Sequence, residues 1–265
     1  MKNQIISIIT INYNNIVGLK KTAESILNQT NKNFEWIVID GGSTDGAYDY
    51  LKSISTHIDY WCSEKDNGIY HAMNKGTSIA TGKYCLYMNS GDCMFDNNVI
   101  QKILSIDLKA DIINGRGELV VDGVPTRIRE CKKSINLSDW VQLLPFDNKT
   151  IGGNTLLHQA TLIRRKCILE TPYDEKLRVA SDYKFWLEGL VLKNYTYEIT
   201  DIVICSFDDL SGVSSNPATR YETHTALVDV IPKRILDDYV DFLNFKKHFV
   251  GKVAIKIYKW VKRWR

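Results

Sequence analysis

No two of the six cysteines (Cys62, Cys85, Cys93, Cys131, Cys167 and Cys205) stand in a CxxC pair. That scatter excludes zinc-finger ligand spacing and a disulfide framework, and fits free thiols in a reducing compartment. Long apolar runs are missing too. The run Ile5-Ile6-Ser7-Ile8-Ile9 is too short for a signal peptide, and Asn12 and Asn14 interrupt its continuation. No stretch reaches the roughly 18 apolar residues of a membrane span. Charge of one sign is scarce, since 34 Lys and Arg against 31 Asp and Glu leave only +3. A balance that small gives no ground for expecting nucleic acid as a partner. Without repeats or a low-complexity linker, the expectation is one large α/β domain with small appendages.

The residues present alternate in period. Ile5 to Tyr13 reads as a buried β-branched strand, and Val17 to Leu27 has apolar residues at helical spacing. A second strand, Phe34 to Ile39, closes on Asp40 and the turn Gly41-Gly42-Ser43-Thr44-Asp45-Gly46. A helix to about His57, a strand from Ile58 to Cys62 and a helix from Ile69 to Ala80 come next. The fourth strand, Tyr84 to Met88, ends on Asn89-Ser90-Gly91-Asp92. This rhythm predicts a Rossmann-like, mostly parallel sheet flanked by helices, with ligands outside the carboxyl ends of the strands. Polar residues collect at those ends: Asn12 and Asn14, Asp40, Glu64 and Asp66, Asp92. The second half is less regular. It reads as strands over Asp111 to Val121 with a hairpin turn at Asp122-Gly123, a short helix over Leu137 to Leu144 and a polar loop over Asp147 to Asn154. A strand over His158 to Arg164, a helix over Ser181 to Leu192, a strand over Tyr195 to Phe207 and a helical stretch from Pro217 complete it.

Three carboxylates occupy places where chemistry can happen, and each also has an ordinary structural reading. Asp40 at a strand end can accept hydrogen bonds from a base or ribose. The turn after it lacks G-x-G-x-x-G spacing and can equally be a helix-capping loop. Asp92 can suffice for a divalent cation when a diphosphate supplies the other oxygens, or it caps the next segment. Asp182 lies near a helix start, where the partial positive charge favours the ionised form that a general base needs. Capping explains many such residues as well.

Taken together and in order, these segments carry more. The runs Ile5 to Asn14, Glu35 to Gly46, Glu64 to Tyr70, Ala72 to Gly76, Ala80-Thr81-Gly82 and Met88 to Asp92 resemble glycosyltransferase family 2, the inverting enzymes of the GT-A type. His158-Gln159-Ala160 and Ala180-Ser181-Asp182-Tyr183 extend the resemblance. It is similar to the subgroup that builds bacterial surface polysaccharides. The resemblance implies a GT-A fold with a small mixed acceptor-side region, its nucleotide-sugar half in residues 1–110 and its acceptor half in residues 111–240. It implies that Thr10, Asn12 and Tyr13 line the nucleoside pocket, that Asp40 binds the base and that Asp66 closes the pocket. Asp92 is the expected ligand of Mg²⁺ or Mn²⁺, and Asp182 the expected catalytic base. Asn89 and Gly91 depart from the family's further aspartates. Met73 departs from an arginine before Asn-x-Gly, so Lys75 is the expected cation near the phosphates. The implied reaction moves a sugar, from a nucleotide sugar such as a UDP-hexose, to a hydroxyl of a lipid-linked glycan, with inversion. His158 can face the same cleft or be structural. The alternatives are a non-catalytic nucleotide-binding or assembly protein on this fold, supported by the thinned Asn89-to-Asp92 motif, and a nucleotidyltransferase, which would need a basic Gly-rich loop where Asn14-Asn15-Ile16-Val17 stands.

The last segment, residues 241–265, lacks acidic residues after Asp241 but holds eight lysines and arginines. On a helical wheel Phe249, Val250, Val253, Ile257, Trp260, Val261 and Trp264 share one face, and Lys252, Lys256, Lys259, Lys262 and Arg263 the other. Such a helix is expected to lie in an anionic membrane surface. It would place the protein in the cytoplasm, peripheral on the inner face of the cell membrane.

Overall fold

A strand buried on both faces needs apolar residues without alternation, and the first run forms one: β1, Ile6–Asn12, is buried along its length. The computed structural model describes residues 5–131, 133, 142–143, 151–152, 155–208 and 219–262. After β1 come α1 (Ile16–Leu27), β2 (Glu35–Asp40), α2 (Ala47–Ser53), β3 (Tyr60–Ser63), α3 (Ile69–Ile79) and β4 (Tyr84–Tyr87). Strands β3, β2, β1 and β4 are all parallel and lie in that order. The chain winds outward from β1 to β3 and then crosses to β4 on the other side of β1. The switch point therefore falls between β1 and β4, and the crevice outside their carboxyl ends is where such sheets take ligands.

Side chains alternate across β1 and feed two cores. Ile6 and Ile8 pack with Leu19, Ala23, Trp36 and Val38 under α1 and α2. Ile9 and Ile11 pack with Ile37, Ile39 and Met73 under α3. By parity Thr10 belongs to the first core.

The second half adds β5 (Cys93–Met94), α4 (Val99–Leu104), β6 (Ile112–Val121), β7 (Val124–Arg129), β8 (Gln142–Leu143), β9 (Ile151–Gly152), β10 (Thr161–Arg164), α5 (Arg165–Glu170), α6 (Ser181–Trp186) and β11 (Tyr197–Asp208). Strand β10 inserts antiparallel between β4 and β6, and β11 pairs parallel with β6. The nine-stranded sheet is therefore mixed. The hairpin turn is where the sequence places it: Asp122 and Gly123 both have positive φ, as a two-residue turn between twisted strands requires.

Some expectations change. Gln142 and Leu143, expected in a helix, pair as a strand with Ile151 and Gly152, because cross-strand partners override a helical pattern in two residues. The rest of the expected Leu137-to-Leu144 helix, and of the loop from Asp147 to Asn154 apart from Ile151 and Gly152, lies outside the described residues. His158 to Ala160 form a 3₁₀ turn before β10 rather than strand. Helix α6 gives way after Trp186 to a wider π turn, Leu187–Leu192. Pro217 lies outside the described residues. The helical stretch beyond it is three helices, α7 (Thr219–Val230), α8 (Lys233–Lys247) and α9 (Phe249–Lys262). Pro232, which has no N–H to donate, separates the first two, and His248 in extended conformation separates the last two. The C-terminal helix thus begins at Phe249, not at Asp241.

Candidate active site

Four strand ends bring their polar residues to one edge of the sheet. At its floor Asp40 has no exposed surface. Its Oδ1 accepts from Asn12 Nδ2 (2.7 Å) and Ser43 Oγ (2.6 Å), and its Oδ2 from Ser43 N (3.0 Å) and Ser63 Oγ (2.6 Å). Burial pushes this carboxyl up, but the hydrogen bonds from Ser43, Ser63 and Asn12 outweigh it and hold the group below its usual value. No Asp40 oxygen is left for a base to meet. The residue clasps together the ends of β1, β2 and β3, a correction to the expected direct contact. Removing the charge unmakes the clasp, so Asp40→Asn is expected to cost about 3 kcal/mol of stability in urea unfolding. A variant within about 0.5 kcal/mol of the parent would show that the clasp is dispensable.

Thr10 is fully buried, its Oγ1 accepting from Trp36 Nε1 (3.1 Å). Its place on the α1–α2 side of the sheet keeps it out of the crevice, so it supports β2 instead of lining a pocket. Asn12 is nearly buried and joins Asp40, with its own Oδ1 left without a partner among the described residues. Tyr13, by contrast, is 67% exposed.

Above the clasp, Gly41 lies between Tyr13 and Asp66. A Cβ there would stand 2.8 Å from Asp66 Oδ2 and 3.2 Å from the Tyr13 ring, so only glycine lets the two approach. Asp66 is half-buried, and its Oδ1 accepts from Gly68 N (2.9 Å). The accessible carboxylate beside the exposed aromatic ring is therefore Asp66. Lys75 is ion-paired with Glu64 just after β3, which raises its pKa and lowers that of Glu64.

The turn after β4 is held from α1. Thr22 Oγ1 donates to the carbonyl of Asp92 (2.7 Å) and accepts from Gly91 N (2.9 Å), while Asn15 Nδ2 donates to the carbonyl of Ser90 (3.0 Å). In this turn Asn89 Oδ1 is buried without a hydrogen-bond partner among the described residues. Three residues on, burial pushes the Asp92 carboxyl up to about 7, against bonds from the Asn89 backbone and the Gln159 amide. An orphaned amide oxygen in the same turn as a carboxylate reluctant to ionise alone fits a hard divalent cation that keeps other oxygens for a diphosphate. Among the described residues no cluster of three or more His, Cys, Asp or Glu offers a closed site.

Asp182 sits in the first turn of α6, half-buried. Burial pushes its carboxyl up to about 6, opposed by Tyr183 N (2.8 Å), by the Tyr70 hydroxyl (3.2 Å) and by the Arg129 guanidinium. Tyr70 was not singled out in the sequence. The only cue to it was its place two residues after Gly68 in a resembling segment. His158 is buried, stacked on Tyr87 and bonded to the Tyr173 hydroxyl (2.8 Å), and burial holds it down at about 4. It is a neutral structural residue. A groove of about 520 Å³ opens on another side of α6, beside Asn74, Tyr173, Asp174 and Lys184. Within it Asn74 is paired with Glu175 and Lys184 with Asp174.

Comparison with known proteins agrees with this fold. A glycosyltransferase of Mycobacterium tuberculosis, itself uncharacterised, is 30% identical over 219 residues, covering 80% of this chain and 77% of its own. Staphylococcus aureus TarS residues 1–349 in complex with UDP-GlcNAc superpose with a TM-score of 0.61 at 17% identity, covering 93% of this chain and 73% of TarS. The mannosyltransferase PcManGT of Pyrobaculum calidifontis in complex with GDP-Man and Mn²⁺ gives 0.59 at 15% identity, covering 86% and 65%. Both share the GT-A fold of parallel core and mixed second half. The family profile described as glycosyl transferase family 2 matches residues 7–147, a span that takes in the first strand, the Asn89-to-Asp92 turn and the β6–β7 hairpin, and the chain belongs to that family.

Proposed function

We propose that this glycosyltransferase moves one hexose from a UDP-sugar, with inversion, to a hydroxyl of a lipid-linked glycan used in bacterial surface polysaccharide synthesis. The observation that carries the reading is the crevice itself. An accessible ring and carboxylate (Tyr13 and Asp66) and an oxygen-bearing turn (Asn89 and Asp92) follow the strand ends, and the Tyr70 hydroxyl at the start of α3 reaches the half-buried carboxyl of Asp182 at another helix start. In the proposed mechanism the uracil stacks on Tyr13 and hydrogen-bonds to Asp66, with Asp40 holding the loops beneath. Asp92 and Asn89 would hold Mg²⁺ or Mn²⁺, which when bound neutralises charge on the leaving diphosphate. Asp182 accepts the proton of the acceptor hydroxyl as that oxygen attacks the anomeric carbon from the face opposite the diphosphate. An α-linked donor then gives a β-glycoside. Lys75 near the phosphates is part of the reading, provided its Glu64 partner releases it. TarS bound to UDP-GlcNAc and PcManGT bound to Mn²⁺ support a nucleotide-sugar donor and a divalent metal.

The membrane-side part of the reading rests on α9. It packs on the end of α8 through Gly251, where a Cβ would collide with the carbonyl of Phe245. That contact uses the Gly251 and Ile255 side of the helix and leaves Val250 68% and Val253 40% exposed. Val250 and Val253 are therefore not covered by the domain, and Lys252 and Lys256 near them are exposed too. The side chains of Ile257 to Lys262, including Trp260, and all of Arg263, Trp264 and Arg265 lie outside the described residues. No helix among the described residues is long and apolar enough to cross a membrane.

The donor half is tested by thermal shift. UDP should raise the melting temperature more with Mn²⁺ than with EDTA, and the metal-dependent part should vanish in Asp92→Asn. Because the metal must displace a proton held near pH 7, Mn²⁺ affinity should fall about tenfold per pH unit below that value. Equal stabilisation by UDP in Mn²⁺ and in EDTA would sink the metal reading.

A further inference from the structure

Asp182 is held by two donors on the same atom. Tyr183 N (2.8 Å) and the Tyr70 hydroxyl (3.2 Å) both reach Oδ1. The first is local, one residue away. The second crosses from α3 on the nucleotide side of the sheet, and Tyr70 is only 6% exposed with its ring 5.5 Å from that of Tyr173. Tyr70 belongs to the first turn of α3, whose N-cap is Gly68, and Gly68 N is held by Asp66. One short segment thus carries the carboxylate proposed to meet the nucleobase and the hydroxyl that meets the proposed base.

We infer that Tyr70 is a positioning residue for Asp182: its hydroxyl, donated across the crevice to Oδ1, fixes that oxygen and leaves Oδ2 to take the acceptor proton. The inference rests on the assignment of Asp182 as the base. A buried tyrosine usually finds some acceptor, so the contact alone would be ordinary. What makes it consequential is the carboxyl it touches, which burial drives toward the neutral form while a base must be ionised. Among the described residues the charged and titratable groups facing Asp182 are Tyr70 from α3, Tyr173 from the loop before α6 and Arg129 from β7. Of these, Tyr70 donates directly to the carboxylate.

The test measures donor hydrolysis at saturating Mn²⁺, where the metal displaces the proton of Asp92 and the acidic limb reports Asp182. UDP-glucose, UDP-galactose and UDP-N-acetylglucosamine are tried in turn and the fastest is used. Tyr70→Phe removes one charge-assisted hydrogen bond, so kcat should fall about 10- to 100-fold. Donor KM should stay within about twofold, and the acidic limb should move up by about one pH unit. 3-Fluorotyrosine at position 70, nearly isosteric and a stronger donor, should move the limb down. This second variant decides the matter should Tyr70→Phe fold poorly. An unmoved limb in both variants, or kcat unchanged in Tyr70→Phe, overturns the role of Tyr70. Asp182→Asn is the control: if it hydrolyses donor at the parental rate, the base assignment fails instead.

Discussion

Asp182→Asn is expected to transfer sugar roughly 10²- to 10⁴-fold more slowly than the parent, the usual worth of a positioned general base. Donor binding should survive, because Asp182 is not among the residues proposed to hold the nucleotide or the metal. The fold should survive as well, and for a reason that can be measured. Burial raises the folded-state value of Asp182 to about 6, above that of an exposed aspartate. Between the two values the folded protein binds more protons than the unfolded one, so stability is lost as pH rises through that window. Above about pH 6 the ionised carboxylate is a burden on the fold, and neutral asparagine relieves it. The variant should therefore melt no lower than the parent at pH 8, with a smaller difference at pH 5. At saturating Mn²⁺ the parent's activity should fall as pH drops through about 6, and the residual activity of the variant should lack that limb. Near-parental transfer by Asp182→Asn would send the search for a base elsewhere. His158 is a poor substitute, buried and held neutral by its surroundings. A product with retained anomeric configuration would overturn single displacement altogether.

The nucleotide half was legible from the sequence because its signals are local. Unbroken Ile and Val runs, helical spacing and polar residues immediately after each run are properties of neighbouring positions, and β1 to β4 arise from them. Harder to read was which of two carboxylates at strand ends is accessible. Asp40 and Asp66 look alike in the chain. Only the serines brought from β3 and from the turn after β2 show that Asp40 is occupied, while Gly41 marks where Asp66 approaches. Thr10 was misplaced because parity along β1 says which face it shares but not which face is the crevice. The antiparallel insertion of β10 and the two-residue β5 depend on partners distant in sequence, where local propensity is a weak guide. Tyr70 illustrates the same limit: its partner lies 112 residues away.

Removing the C-terminal helix should abolish binding to anionic vesicles while leaving UDP and Mn²⁺ binding intact. The cut belongs after Lys247, where α8 ends. An earlier one, after Asn244, would take the end of α8 and with it the Phe245 carbonyl against which Gly251 packs. Lys252, Lys256, Lys259, Lys262 and Arg263 carry the charge, and each basic residue near an anionic surface contributes about 1 kcal/mol at moderate salt. Five of them correspond to a partition coefficient roughly a thousandfold or more above that of the truncated protein. Raising the salt should release the intact protein as the charges are screened. The exposed stripe through Val250 and Val253 should supply the part that salt does not remove, so Val253→Asp should weaken binding even at low ionic strength. Transfer to a lipid-linked acceptor should suffer in the truncated protein, and donor hydrolysis should not, because the proposed site residues all precede α7, and α7, whose Glu222 holds the backbone before Asp182, is retained. Should the truncated protein unfold or lose UDP binding, α9 is a structural helix whose stripe is covered within the protein. In that case Val253→Asp would destabilise the fold in the absence of any vesicle.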